Sequence, residues 1–147
     1  MQRADSTVTS SKQTVIMSCG VLGASIAASL AERGHTVTIL DPRAQAFDRL
    51  PRDPVDQGRI VPIIGDGTRH EDLQRASIRD ADTFIALSNV DTKNALAAQL
   101  AKHMYHVPKV FCRIDDPTIE EMYTRLGIDA ISGTALVAQA VLEAGGE

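Results

Sequence analysis

The sequence has 147 residues, a length typical of one domain with a single hydrophobic core. Its 44% apolar residues, 23% charged residues and formal net charge of −4 exclude an intrinsically disordered chain. The negative charge and an aromatic content of 3% argue against nucleic acid as a partner, because phosphates need a basic surface and bases need rings on which to stack.

Residues 1–12 are polar and rich in Ser and Thr, without the apolar centre of a signal peptide. We expect a disordered leader there, followed by one nucleotide-binding domain over residues 13–147. No run of about 18 apolar residues follows, so we expect no direct insertion into a membrane. Cys19 and Cys112 fall in a predicted turn and a predicted buried strand, which favours reduced thiols in a cytosolic protein.

The segment 14–41 predicts a strand, a small-residue turn, a helix and a second strand that ends in an acid. The turn follows the dinucleotide-binding pattern G-x-G-x-x-G with serine in the first position, over Ser18, Cys19, Gly20, Val21, Leu22 and Gly23. Gly20 would let a pyrophosphate approach the backbone, and Gly23 would let the helix pack closely on its strand. The free N–H groups of Val21 and Leu22 would then face the phosphates.

Asp41 lies at the carboxyl end of the second predicted strand, 21 residues after Gly20. A carboxylate there can accept both hydroxyls of an adenosine ribose and would repel a 2′-phosphate, which favours NAD or an adenine nucleotide over NADP. The predicted site includes the next two residues, Pro42 and Arg43, and Arg43 could neutralise such a phosphate. The alternative is a tight strand–helix turn without a ligand. Ser18 tolerates positive φ poorly, so we expect the turn to keep its path with altered geometry.

The remaining pattern predicts an α/β fold of the Rossmann type, a doubly wound parallel sheet with strand order 3-2-1-4-5-6 and helices on both faces. Pro62 lies within the third strand, and proline belongs on an edge strand, where this order places it. Strands are predicted over residues 59–64, 83–87, 109–114 and 130–132, a loop over 53–59, and helices over 21–33, 44–50, 70–76, 92–105, 117–126 and 134–142. In the first of these helices we expect Leu22, Ile26 and Leu30 to supply the large apolar contacts and the alanines to fill the close ones.

Polar residues follow the third and fourth strands, at the edge of the sheet where open α/β proteins bind ligands. Asp66, beside Gly67, could accept a hydrogen bond from an adenine amino group or cap the next helix, and we favour the ligand contact. Gly67 and Thr68 belong to the predicted site as well. Thr68 is also the expected cap of the helix that follows it, and Thr134 is the expected cap of the last helix. Ser88 and Asn89 would face the crevice from its far side, and their spacing resembles a capping box for the helix that follows.

His103 and His106 are spaced as a metal-binding pair, but no third ligand lies near them in sequence, so we favour a structural role at a helix C-terminus. The sequence offers neither a Ser–His–Asp arrangement nor paired carboxylates.

Taken together, these residues resemble the N-terminal domain of the regulator-of-potassium-conductance (RCK) family, also called TrkA-N, over residues 14–141. The resemblance depends on the glycine turn with Asp41 and on a series of later motifs: 65–68 (GDGT), 86–88 (ALS) with Asn94, 112–117 (CRIDDP), 126–129 (LGID) and 131–132 (IS). It places Arg113 near an inter-subunit ligand cleft. One departure is Val21, at a position where ATP-sensing members often have a basic residue.

The resemblance implies a regulatory protein that is not an enzyme. Such a protein would bind NAD(H), ATP, ADP or AMP and control a potassium channel, a potassium uptake system or a cation–proton antiporter. The resemblance also implies a homodimer or higher ring assembly, with the last helix crossing to the neighbouring subunit, and a cytoplasmic location at the inner face of the membrane through the transporter. The C-terminal domain that often follows in this family lies outside these residues, so we interpret the chain as a stand-alone regulator or a fragment. The alternative function is the cofactor-binding half of an NAD-dependent oxidoreductase.

Overall fold

The computed structural model describes residues 12–146, which form one parallel sheet between two layers of helices. Strands β1 to β6 are Gln13–Met17, Thr36–Asp41, Ile60–Ile64, Thr83–Ala86, Lys109–Arg113 and Asp129–Ile131. They pair in the order β3-β2-β1-β4-β5-β6, and every pairing is parallel. The predicted sheet order is confirmed. The predicted leader lies, apart from Lys12, outside the described residues.

Residues 12–146 contain six α-helices, which alternate with the strands as the sequence predicts. Helices α1 to α6 are Val21–Glu32, Arg52–Asp56, His70–Arg75, Asp91–Gln99, Pro117–Arg125 and Gly133–Ala144. Two 3₁₀ helices lie at Ala44–Arg49 and Ile78–Asp80, and a π-helical segment, Leu100–Met104, continues α4. Within residues 12–146, none of the helices combines the length and the apolar character that crossing a membrane requires.

The protein has a hydrophobic core on each face of the sheet, and the central strand β1 contributes side chains to both. Val15 and Met17 belong to a core beneath α4, and Ile16 belongs to the core on the opposite face, beneath α1. This division follows from the pleat, because successive side chains of a strand point to opposite faces. Each such buried Val or Ile stabilises the fold by about 1.5–3 kcal/mol.

Helix α1 packs closely on the sheet through its small residues. Ala24, Ala27 and Ala31 are buried against the sheet, as the alanine-rich sequence predicts. Leu22, expected among the large apolar contacts, is instead 48% exposed. Gly34 ends the helix with a φ of +90°, a conformation that favours glycine.

The loop predicted for residues 53–59 is wrong in part, because α2 occupies Arg52–Asp56. Pro54 does not prevent this helix, since the first four N–H groups of any helix lack an intrahelical acceptor. Pro62 lies on β3, at the edge of the sheet, as predicted.

The helix caps predicted at Thr68, Ser88 and Thr134 are wrong. Thr68 donates its hydroxyl to Asp66 Oδ1 at 2.8 Å, and Arg69 precedes α3 without a side-chain cap. Ser132, rather than Thr134, caps α6 by accepting the Ala135 N–H at 3.0 Å. Ser88 does not form a capping box; Val90 precedes α4, and no side chain caps that helix.

Candidate functional site

A cleft of about 700 Å³ opens at the carboxyl ends of β1 to β5. It brings together all the site residues predicted from the sequence except Cys19 and Thr68. The cleft also includes residues that the sequence analysis did not select: Met17, Ser25, Leu40, Gly65, Leu87, Val90 and Lys93. The glycine turn lies at the centre, the end of β2 on one side and the ends of β4 and β5 on the other.

The glycine turn separates two roles for its glycines. A Cβ on Gly23 would overlap the carbonyl oxygen of Ser18, so close packing of α1 on β1 requires glycine there. No atom lies within 4 Å of the position that a Cβ on Gly20 would take, and its φ of −79° suits any residue. Nothing in the described part of the chain therefore requires glycine at residue 20, and its bare backbone faces the cleft.

Ser18 adopts the backbone conformation that the first glycine of the pattern would supply. Its φ is +92°, and its N–H donates to the carbonyl of Leu40 at 2.7 Å. The expected conflict between serine and positive φ is thus present, and the hydrogen bond to β2 helps to hold the strained residue in place.

The start of α1 presents unpaired donors to the cleft. Among residues 12–146, the backbone N–H groups of Val21, Leu22 and Gly23 have no hydrogen-bond acceptor, whereas Ala24 donates to Gly20 at 2.9 Å. Val21 is 77% exposed. Three free N–H groups at the positive end of a helix dipole form a suitable site for a phosphate.

Asp41 is only 2% exposed, and its carboxylate holds the turn together. It accepts the N–H groups of Cys19 and Arg43, both at 2.9 Å, and the Arg43 guanidinium Nε at 3.2 Å. Burial opposes ionisation, but the hydrogen bonds from Arg43 and Cys19 outweigh it, so the pKa of Asp41 lies below its ordinary value. A ribose can reach this anion by replacing the exposed guanidinium of Arg43.

Cys19 contributes its backbone to the site and its side chain to the core. The side chain is fully buried, and Sγ lies 3.4 Å from the carbonyl oxygen of Ala46. Burial, with a smaller effect from the charge of Asp41, raises the pKa of the thiol to about 11. The thiol is therefore protonated at neutral pH and is not a nucleophile.

The loop after β3 crosses directly over the end of β1. A Cβ on Gly67 would overlap the side chain of Met17, so any other residue there would have to displace that buried methionine. Asp66 lines the cleft while accepting both the N–H and the hydroxyl of Thr68, at 2.9 and 2.8 Å. The carboxylate is oriented by the turn, and its remaining lone pairs leave room for a ligand donor.

The far wall of the cleft is organised by Asn94, which is completely buried. Its amide oxygen accepts the N–H and the hydroxyl of Ser88, at 2.9 and 2.8 Å. Its amide nitrogen donates to the carbonyls of Ser88 and Arg113, at 2.8 and 2.9 Å. All four hydrogen-bonding positions are used, so Asn94 fixes the end of β4 relative to the end of β5.

Residues 14–133 match the model of the TrkA-N domain family. The Trk system potassium uptake protein TrkA of Streptomyces coelicolor is 38% identical over 128 residues, covering 87% of this chain and 56% of the relative. The TrkA homologue of Methanothermobacter thermautotrophicus is 31% identical over 129 residues, covering 88% of this chain and 57% of the relative. The chain thus spans slightly more than half the length of these two relatives.

Many solved structures share the fold, among them the following three. The TrkA-N domain of the inner membrane protein ybaL from Escherichia coli has a TM-score of 0.77 and 13% identity, covering 90% of this chain and 96% of that one. The AMP-bound Kef CTD of Shewanella denitrificans has a TM-score of 0.68 and 22% identity, covering 92% of this chain and 82% of that one. The GsuK channel bound to NAD has a TM-score of 0.65 and 14% identity, covering 82% of this chain and 21% of that one.

Proposed function

Because this chain belongs to the TrkA-N domain family, we propose that it is a regulatory domain that binds an adenine nucleotide or NAD(H) and controls a membrane potassium-transport protein. The observation that carries the proposal is the glycine turn. Gly20 has no steric reason within the described chain to be glycine, and the three free N–H groups beside it face the cleft. A bound pyrophosphate would account for both features.

The cleft suggests where each part of the ligand lies. The pyrophosphate would contact the N–H groups of Val21 and Leu22, and the ribose would meet the anionic Asp41. The adenine would extend towards Asp66, and the second half of the ligand towards Ser88 and Asn89 on the far wall. In this arrangement the residues bind and orient the nucleotide, and no chemical step is required of them.

Calorimetric titration of the full chain with NAD, NADH, AMP, ADP and ATP tests this proposal. At least one of these ligands should bind, and the heat should disappear when an excess of the tightest ligand is already present. If none of the five binds to a protein whose circular dichroism spectrum is that of a folded α/β domain, the proposed site is wrong.

We expect NAD to bind more tightly than NADP, because the 2′-phosphate of NADP would approach the carboxylate of Asp41. The opposing influence is Arg43, whose side chain is 65% exposed and could turn from Asp41 towards that phosphate. Direct titration with NAD and NADP shows whether Asp41 or Arg43 has the greater influence on the preference between them. Equal or tighter binding of NADP would mean that Arg43 determines the preference.

The relatives indicate the class of target. The Streptomyces coelicolor relative is a Trk system potassium uptake protein, and GsuK is a channel. We propose a cytoplasmic domain that acts at the inner face of the membrane on a potassium uptake system, potassium channel or cation–proton antiporter. No feature of the cleft favours the alternative, the cofactor-binding half of an oxidoreductase. Copurification with the transporter, and potassium uptake by cells with and without the domain, would test the assignment.

We further propose that the domain forms a homodimer or a higher ring assembly through α6. No residue of α6 is buried, and its apolar residues Leu136, Val137, Val141 and Leu142 are each more than half exposed. An open groove between α4 and α5 is lined by Leu96, Ile119 and Tyr123, among others. The α6 helix of a second copy would cover such a groove with apolar surface.

Light scattering on the full chain should give the mass of a dimer or a larger ring. Deletion of residues 134–147 should shift it to the mass of a monomer, because the apolar surface of α6 is lost. A full chain that is already a monomer, or an assembly unaffected by the deletion, would contradict this role of α6. Neither result would bear on the nucleotide site.

A further inference from the structure

The charges along the cleft divide it into two unlike halves. On the adenosine side, the acid Asp41 is neutralised by an ion pair with Arg43, at 3.2 Å. On the far side, the lining residues are Leu87, Ser88, Asn89, Val90, Lys93 and Arg113. Neither a carboxylate nor an aromatic ring is among the described residues on that wall, so its only ionic groups are two cations.

The two cations of the far wall differ in what they already bind. Arg113 forms an ion pair with Asp115 at 3.2 Å, and Asp115 lies outside the cleft lining. Lys93 lies on the first turn of α4, and its side chain is exposed. Within residues 12–146, the Lys93 ammonium group has neither a hydrogen bond nor an ion pair. The charge of Lys93 is therefore available to a ligand in the cleft.

The position of Lys93 is fixed by its neighbour in sequence. Asn94 is buried and bonded to both Ser88 and Arg113, so the backbone of residue 93 is held beside the ends of β4 and β5. The glycine turn at the centre of the cleft brings no charged side chain, because Val21 and Leu22 are apolar. An anionic group that extends from the pyrophosphate position would thus meet Lys93 as its free cation.

We infer that Lys93 determines which nucleotide the cleft selects, by taking the terminal phosphate of a nucleoside diphosphate or triphosphate. This inference depends on the proposed nucleotide-binding function. The ring of oxidised nicotinamide carries a positive charge, the same sign as Lys93, whereas a terminal phosphate carries the opposite sign. The far half of the cleft therefore favours ADP or ATP over NAD, and over AMP, whose phosphate ends at the glycine turn.

Lys93→Gln tests the inference, with Lys109→Gln as the matched control. Lys109 is an exposed lysine at the first residue of β5, at the end of the sheet opposite the cleft. The full chain and both variants are titrated calorimetrically with AMP, ADP, ATP and NAD in the presence of a chelator. Lys93→Gln should lower the affinity for ATP and ADP about five- to twentyfold, while the affinities for AMP and NAD should change less than about twofold. Lys109→Gln should bind all four ligands as the unmodified chain does.

The inference is overturned if Lys93→Gln leaves ATP affinity unchanged or weakens AMP, NAD and ATP equally. It is also overturned if NAD binds the unmodified chain more tightly than both ADP and ATP. Absence of binding by any of the four ligands would instead refute the proposed nucleotide site itself. If AMP still binds but Lys93→Gln does not change the affinity for ATP, the nucleotide site stands and only the proposed role of Lys93 is refuted.

Discussion

Replacing Gly20 by alanine tests the ligand site with little change to the free protein. The added methyl group would lie in open space, and the φ of −79° suits alanine. Alanine is a poorer N-cap than glycine by about 0.5–1 kcal/mol. It also restricts the unfolded chain, which stabilises the fold by about 0.4–1 kcal/mol. These effects offset one another, so we expect the free energy of unfolding to change by no more than about 0.5 kcal/mol.

Nucleotide binding should respond much more strongly to Gly20→Ala. A phosphate that contacts the backbone of residue 20 would overlap the new methyl group, and overpacking of this kind costs about 1–3 kcal/mol. That corresponds to a loss of affinity of about five- to a hundredfold. Calorimetric titration gives the affinity, and urea unfolding monitored by circular dichroism gives the stability of the same variant.

Two variants of the same helix serve as controls. Ser29 lies on the exposed face of α1, outside the cleft, so Ser29→Ala should change neither the nucleotide affinity nor the free energy of unfolding. Gly23→Ala should lower the free energy of unfolding by about 1–3 kcal/mol or more, because its Cβ would overlap the carbonyl oxygen of Ser18. If Gly20→Ala binds nucleotides as tightly as the unmodified chain does, the phosphate does not contact this turn and the reasoning is refuted.

Two further predictions concern the residues that shape the cleft. The pKa of Asp41 in the folded protein is below its ordinary value, so the ionised carboxylate stabilises the fold at any pH above that ordinary value. This stabilisation is lost as the pH falls through the pKa of the folded protein. The stability difference between the unmodified chain and Asp41→Asn should therefore shrink from about pH 5 to about pH 3 in urea unfolding; a constant difference would contradict this. Asn94→Ala should destabilise the fold by about 1–3 kcal/mol, because it leaves buried groups of Ser88 and Arg113 without partners. A loss below about 0.5 kcal/mol would show that water replaces the amide.

The elements around the glycine turn could be predicted because their signals are local. The buried run of β1, the alanines of α1 and the acid at the end of β2 each occur within a few residues of sequence, and the alternation of strands and helices predicts the sheet. The Rossmann strand order predicts β3 at the edge, and Pro62 supports this independently, because its missing N–H has no place in a central strand.

The missed features depend on partners that are distant in sequence. The cap predicted at Thr68 was wrong because its hydroxyl bonds to Asp66, and the cap predicted at Thr134 was wrong because α6 already begins at Gly133. The role of Asn94 requires β5 to lie beside β4, which places the Arg113 carbonyl within reach. The position of Lys93 in the cleft could not be predicted from the sequence, because a lysine on the first turn of a helix is ordinarily a solvated surface residue. The one hint is the next residue, Asn94.

Pro62 has a consequence for aggregation. A sheet edge with free N–H and carbonyl groups can pair with the edge of another molecule and start a fibril. Strand β3 would invite this, since Val61 is 37% and Ile64 is 56% exposed along it. Pro62 removes one donor from the middle of that edge, and the opposite edge, β6, is only three residues long. Both edges of the sheet are therefore protected against pairing with the sheet of a second molecule, so a high local concentration of the folded protein would not by itself favour fibril growth.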